Sequence, residues 1–148
     1  MLSFDEFADV VDDEMNLLPD YAFDELNGGV VVDERPLLHP ARVSDDLYIL
    51  GTYTSDPVLG KQVRIYYGSF TATMSTQSDE AVRRQIRETL RHEFQHHLET
   101  RAGMFGKDSL VEEDRRRLSN YFRQHLGARN ARTTSIRYGD EKKKPSGE

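Results

Sequence analysis

His92-Glu93-Phe94-Gln95-His96 places two imidazoles four residues apart, with a carboxylate directly after the first. On an α-helix such residues lie about 40° apart around the axis and about 6 Å apart along it, so both rings can converge on one cation. Glu93 sits one step round, where it reaches a water beside the cation rather than the cation itself. Zinc lowers the pKa of such a water to about 7, and a neighbouring carboxylate can then accept its proton as the oxygen attacks a polarised carbonyl. The chemistry offered is metal-assisted hydrolysis, with His92 and His96 as Zn²⁺ ligands and Glu93 as general base.

A catalytic zinc takes three protein donors and leaves a fourth position open. The chain has no cysteine, so the third donor must be His, Asp or Glu. Glu99 falls on the same helix face one turn beyond His96, and helical side chains lean toward the N-terminus, which aims its carboxylate back at the histidines. It is the expected third ligand, although it must reach about 4.5 Å further along the axis than His96 does. Asp108, Glu112 and Glu113, beyond a turn at Gly103, are the alternatives that could fold back onto the site. His97 lies inside the apolar arc of the helix and reads as a core histidine bonded to a backbone group. His39 and His125 have no partners at useful spacing and read as surface residues.

The elements that must position these groups are legible from caps and periodicity. Ser78 and Asp79 offer N-cap oxygens for a long helix running to about Arg101 and ending at Gly103, which suits a left-handed cap. With one residue every 100°, Val82, Ile86, Leu90 and Phe94 fall between about 0 and 120°, and His92 and His96 at about 280 and 320°, flanking the buried stripe. Ser3 and Glu6 form a capping box for a first helix over about residues 4–17, stopping before Pro19. Val30-Val31-Val32 reads as a short strand buried on both sides, Leu47 to Tyr53 as a second strand, and Gln62 to Tyr67 as a third that alternates Val63, Ile65 and Tyr67 against Arg64 and Tyr66. A second capping box at Ser109 and Glu112 opens a third helix, with Val111, Leu118, Phe122 and Leu126 inward and Gly127 as its stop.

A chain of 148 residues suits one domain, here 1–127, followed by a basic, apolar-poor tail at 128–148 that reads as disordered. The net charge of −6 is split: residues 1–60 carry 14 acidic and 2 basic side chains, and residues 61–148 carry 12 acidic and 18 basic. Most of those arginines sit at helical spacing beside acids, so the expected role is a solvated helix face rather than a nucleic-acid interface. No segment approaches the roughly 20 apolar residues of a membrane span, and the absence of cysteine makes the cytoplasm the expected compartment.

The chain resembles the minimal zincin-like metallopeptidase family of bacteria over about residues 4–103. The resemblance is carried by Leu18-Pro19, Val30-Val31-Val32 followed by Asp33-Glu34 and Pro36, Leu50-Gly51-Thr52-Tyr53, Ile65-Tyr66-Tyr67, and above all Leu90-Arg91-His92-Glu93-Phe94-Gln95-His96-His97. It implies an α+β fold with a small mixed sheet, an N-terminal helix, an active-site helix and a further C-terminal helix. It also implies metallopeptidase chemistry on a peptide or protein held along an edge strand. The family pattern continues as HExxHxxGxxD, whereas this chain has Glu99 and Ala102 at the glycine and aspartate positions.

Two other function classes fit parts of the sequence. A zincin-like fold with little or no metal would serve as a peptide-binding or protein-binding module, and zinc content separates it from the peptidase. A metal-dependent ribonuclease would need a basic, aromatic-lined groove at the site, but Arg83, Arg84, Arg87 and Arg91 spread from about 100 to 200°, away from the histidines.

Overall fold

The computed structural model describes residues 1–103 and 110–132, with side chains throughout the first segment and over 114–125 in the second. Within these bounds lie four α-helices and a three-stranded sheet, in the order α1 (Phe4–Met15), β1 (Gly29–Asp33), β2 (Gly51–Asp56), β3 (Gly60–Tyr66), α2 (Tyr67–Met74), α3 (Asp79–Ala102) and α4 (Leu110–Arg132), with a 3-10 turn at Asp20–Phe23. This is the expected α+β architecture.

β3 is the central strand. It runs parallel to β1, with Val31 opposite Arg64, and antiparallel to β2, with Tyr53 opposite Val63. Its alternation sets the two faces: Val63 and Ile65 are fully buried, while Gln62, Arg64 and Tyr66 occupy the other face half-exposed. β1 is an edge strand and its three valines are only half-buried, so the expected burial on both sides does not occur. β2 starts later than the expected 47–53, because residues 47–49 pair instead with 37–39: Leu38 bridges Tyr48, the His39 N–H bonds the Leu47 carbonyl, and the Ile49 N–H bonds the Leu37 carbonyl.

The core packs Val63 and Ile65 against Phe7, Val10 and Val11 of α1, Phe70 of α2, and Val82, Ile86, Leu90 and Phe94 of α3. Ser3 and Glu6 close α1 with the reciprocal bonds of a capping box, and Ser78 accepts the Ala81 N–H to open α3. α3 ends as its sequence signals, at Gly103 in the left-handed conformation with φ 68°. α2 has no sequence counterpart among the expected elements. It is held by burial of Gly68, Ser69 and Phe70, and Gly68 approaches so closely that a Cβ there would lie 2.3 Å from the Pro36 nitrogen. α4 continues through Gly127 to Arg132, so the expected stop at Gly127 does not hold. Residues 133–148, most of that expected tail, lie outside the described residues.

Candidate active site

α3 turns its apolar stripe into the core and leaves His92 and His96 half-buried beside it, as the helical angles require. The two rings stand edge to face with centroids 4.9 Å apart. Across from them α4 brings Asp114, whose Oδ1 lies 2.9 Å from His92 Nε2 and whose Oδ2 lies 2.8 Å from His96 Nε2. His92, His96 and Asp114 each offer a ligand atom within 4.8 Å of the others. Glu99, the expected third donor, is not part of this group. Its side chain is buried at 6 % exposure one turn further along α3, and a carboxylate arriving from a second helix reaches the two rings from the side without the backward lean that Glu99 would need. Asp108, Glu112 and Glu113 lie where side chains are outside the described residues.

The electrostatics follow from this contact. The Asp114 hydrogen bond pushes both histidines above their ordinary value of 6.5, outweighing the opposing effect of burial. Burial alone would raise Asp114, but the bonds from His92 and His96 prevail and hold it well below the usual carboxylate range. Glu93 is 7 % exposed and is pushed upward chiefly by burial, while the nearby His92 and His96 charges oppose the shift. A carboxyl moved toward neutrality next to two imidazoles suits proton transfer at working pH.

The donor set fits a divalent cation. Two imidazole nitrogens and a carboxylate oxygen are the ligand types of a three-donor catalytic zinc. One ligand atom from each of the three lies within 4.8 Å of the other two, close enough for the three to share one cation.

Neighbouring groups fix α3 against the sheet and its approaches. His97 is fully buried, and its Nε2–H donates to the Asp24 carbonyl at 2.7 Å, which leaves Nδ1 to accept the Tyr53 hydroxyl at 2.8 Å. This is the core histidine expected from the sequence, and it ties α3 to β2. At Gly51 of β2 a Cβ would meet Thr89 Cγ2 at 2.8 Å, so the helix lies directly on the strand one turn before His92. The expectation for His125 does not hold: it bonds Asp46, a residue 79 positions away. His39 is half-buried and accepts the Ala41 N–H through Nδ1. Arg83, Arg84, Arg87 and Arg91 are all exposed, and Arg87 pairs with Glu14.

Asp114 itself escaped the sequence reading, yet its signal was present. On α4 it is three residues after Val111 and four before Leu118, so it interrupts the stripe expected to face inward, and an acid at an inward position is a functional candidate.

The sequence matches the model of the zincin-like metallopeptidase family over residues 27–114, a span that begins just before β1 and ends on Asp114. With more than half its length matched, the chain belongs to that family. Membership supports, at the level of the family, a zinc-dependent hydrolase kind, and implies a divalent metal, typically zinc. Among solved structures it is similar to a conserved hypothetical protein from Thermus thermophilus, at 26 % identity and a TM-score of 0.58, covering 70 % of this chain and all of the other. No curated protein matches the sequence. Among the described residues no helix is long and apolar enough to cross a membrane.

Proposed function

We propose that the protein is a zinc metallopeptidase whose metal is held by His92, His96 and Asp114, with Glu93 as general base. The observation that carries this reading is the convergence of three donors from two helices beside a buried carboxylate of raised pKa. When bound, zinc polarises the scissile carbonyl and acidifies the attacking water. Glu93 takes the proton of that water at its carboxylate and later delivers it to the departing amine. Its burial keeps it from being levelled to an ordinary surface acid. Asp114 would offset part of the cation's charge, while the two imidazoles would bind in their neutral form, giving up the protons that Asp114 favours in the metal-free protein.

β2 supports a peptide as substrate. It is an edge strand in the order β1-β3-β2, and α3 packs against it, so an extended chain adding to its outer edge would run past the histidine face. The test is zinc analysis of the purified protein together with hydrolysis of a mixed peptide library. The reading predicts about one zinc per chain, cleavage by the wild type, and no cleavage by Glu93→Gln at unchanged zinc content. Cleavage by Glu93→Gln at the wild-type rate contradicts the assigned base, and a folded protein that takes up no zinc contradicts the whole reading.

A further inference from the structure

Two polar contacts on one face of α4 reach other elements of the described chain. The first is Asp114. The second lies about 10 and 16 Å further along the axis, at Tyr121 and His125, which follow Asp114 by seven and eleven residues and therefore share its face. There the Tyr121 hydroxyl donates to Asp46 Oδ1 at 2.8 Å and accepts the Val43 N–H at 3.0 Å. His125 Nε2 donates to the other carboxylate oxygen of Asp46, and its Nδ1 lies 3.0 Å from the Tyr121 carbonyl. The tyrosine and histidine rings pack with centroids 4.0 Å apart. Asp46 thus meets a partner from α4 on each oxygen, and Ser44 of its own loop also bonds the carboxylate.

The loop that carries Asp46 is anchored at its root. Residues 37–39 pair with 47–49, the Leu37 N–H bonds the buried Ser69 hydroxyl of α2 at 2.9 Å, and the loop leads straight into β2 through Leu50, whose carbonyl accepts the Tyr66 N–H. Arg42 and Asp45 bond within it at 2.8 Å. A rigid path therefore runs from the sheet, through Asp46, to the helix that delivers Asp114 to α3.

We propose that Asp46 is a positioning residue for the metal centre: by holding Tyr121 and His125 it sets where along α3 the carboxylate of Asp114 arrives. An axial slip of α4 by one residue would move Asp114 by about 1.5 Å and turn it by about 100°, removing it from both imidazoles at once. The partner-bearing end of α4 supplies the resistance to that slip, since a hydrogen bond from a charged or phenolic donor to a carboxylate is directional. This inference rests on Asp114 being the third zinc donor, and the test separates the two.

Zinc affinity is measured by competition with a chelating dye for the wild type, Asp46→Ala, Tyr121→Phe, Asp114→Ala and the double variant Asp46→Ala/Asp114→Ala, with the absorption spectrum of the Co²⁺-loaded forms as a second readout. Asp46→Ala should weaken zinc by about 10–100-fold, the range typical for groups acting on a ligand from outside the coordination sphere, and Tyr121→Phe by less in the same direction. The Co²⁺ spectrum of Asp46→Ala should shift toward that of Asp114→Ala. In the Asp114→Ala background, Asp46→Ala should cost no further affinity, because its effect passes through Asp114. Additive losses, or wild-type affinity and spectrum in Asp46→Ala while Asp114→Ala is weakened, overturn the positioning role alone. Wild-type affinity in Asp114→Ala overturns the donor assignment and this inference with it.

Discussion

His92 and His96 ride on a helix whose neighbouring face sinks Val82, Ile86, Leu90 and Phe94 to 2 % exposure or less, whereas on α4, among the described side chains, Phe122 is buried and Asp114, Tyr121 and His125 bond across to other elements. The first half of the metal cluster is thus part of the hydrophobic core. The second is attached to it by directional bonds that depend on protonation state. Core packing is insensitive to pH and metal, while ionic docking responds to both, so the two histidines form a standing platform and the third donor is the adjustable part.

The sharpest way to break this comparison is to remove a donor from the platform. His92→Ala or His96→Ala should abolish zinc binding in dye competition while leaving the far-ultraviolet circular dichroism unchanged, because a single imidazole and a carboxylate are too few donors and neither ring is part of the apolar stripe. Retained micromolar zinc in either variant would place the metal elsewhere.

Stability should divide along the same line. Leu90→Ala, which opens a cavity under α3, should cost about 2–5 kcal/mol in urea unfolding of the metal-free protein. Tyr121→Phe, which removes the hydroxyl's two hydrogen bonds, to Asp46 and from the Val43 N–H, should cost less, about 0.5–1.5 kcal/mol for each. Equal losses would show that α4 is as integral to the core as α3.

The smallest effect is a pH dependence of opposite sign with and without metal. The folded-state pKa of each histidine is raised, so the stability gained from the His–Asp114 contacts is full below 6.5 and is lost as pH rises through the raised values. Asp114 is depressed, so its share is present above its ordinary 3.8 and is lost only as pH falls through the lowered value. The metal-free protein should therefore melt at a lower temperature at pH 8.5 than at pH 6. Zinc affinity should climb over the same interval, because the ligating imidazoles must be neutral. A metal-free melting temperature that rises from pH 6 to 8.5, with His92→Gln behaving identically, would contradict the ionic account of α4 docking.

The platform was legible in the sequence because three independent signals coincide on it: the Ser78 cap, the Val82 to Phe94 stripe and the Gly103 stop all frame the same helix that carries His92-Glu93-Phe94-Gln95-His96. β3 was legible for a similar reason, its period of two placing Val63 and Ile65 inward. α2 was not, since Gly68, Ser69, Thr71 and Thr73 have weak helix propensity and their helix exists because Phe70 and its neighbours are buried against the rest of the core. The partners of Asp46 and Asp114 were invisible for another reason. They join residues 18 to 79 positions apart, each acid meeting two side chains of another element, and no local pattern encodes which acid meets which histidine.

The central claim is that the metal centre is completed from α4 by Asp114 and not from α3 by Glu99. Zinc dissociation constants of Asp114→Ala and Glu99→Ala, measured side by side against the wild type at pH 7.5, test it most directly. The account predicts that Asp114→Ala loses far more than the 10–100-fold associated with an outer contact, while Glu99→Ala stays within that range or below it. A large loss in Glu99→Ala with near-wild-type affinity in Asp114→Ala would contradict it.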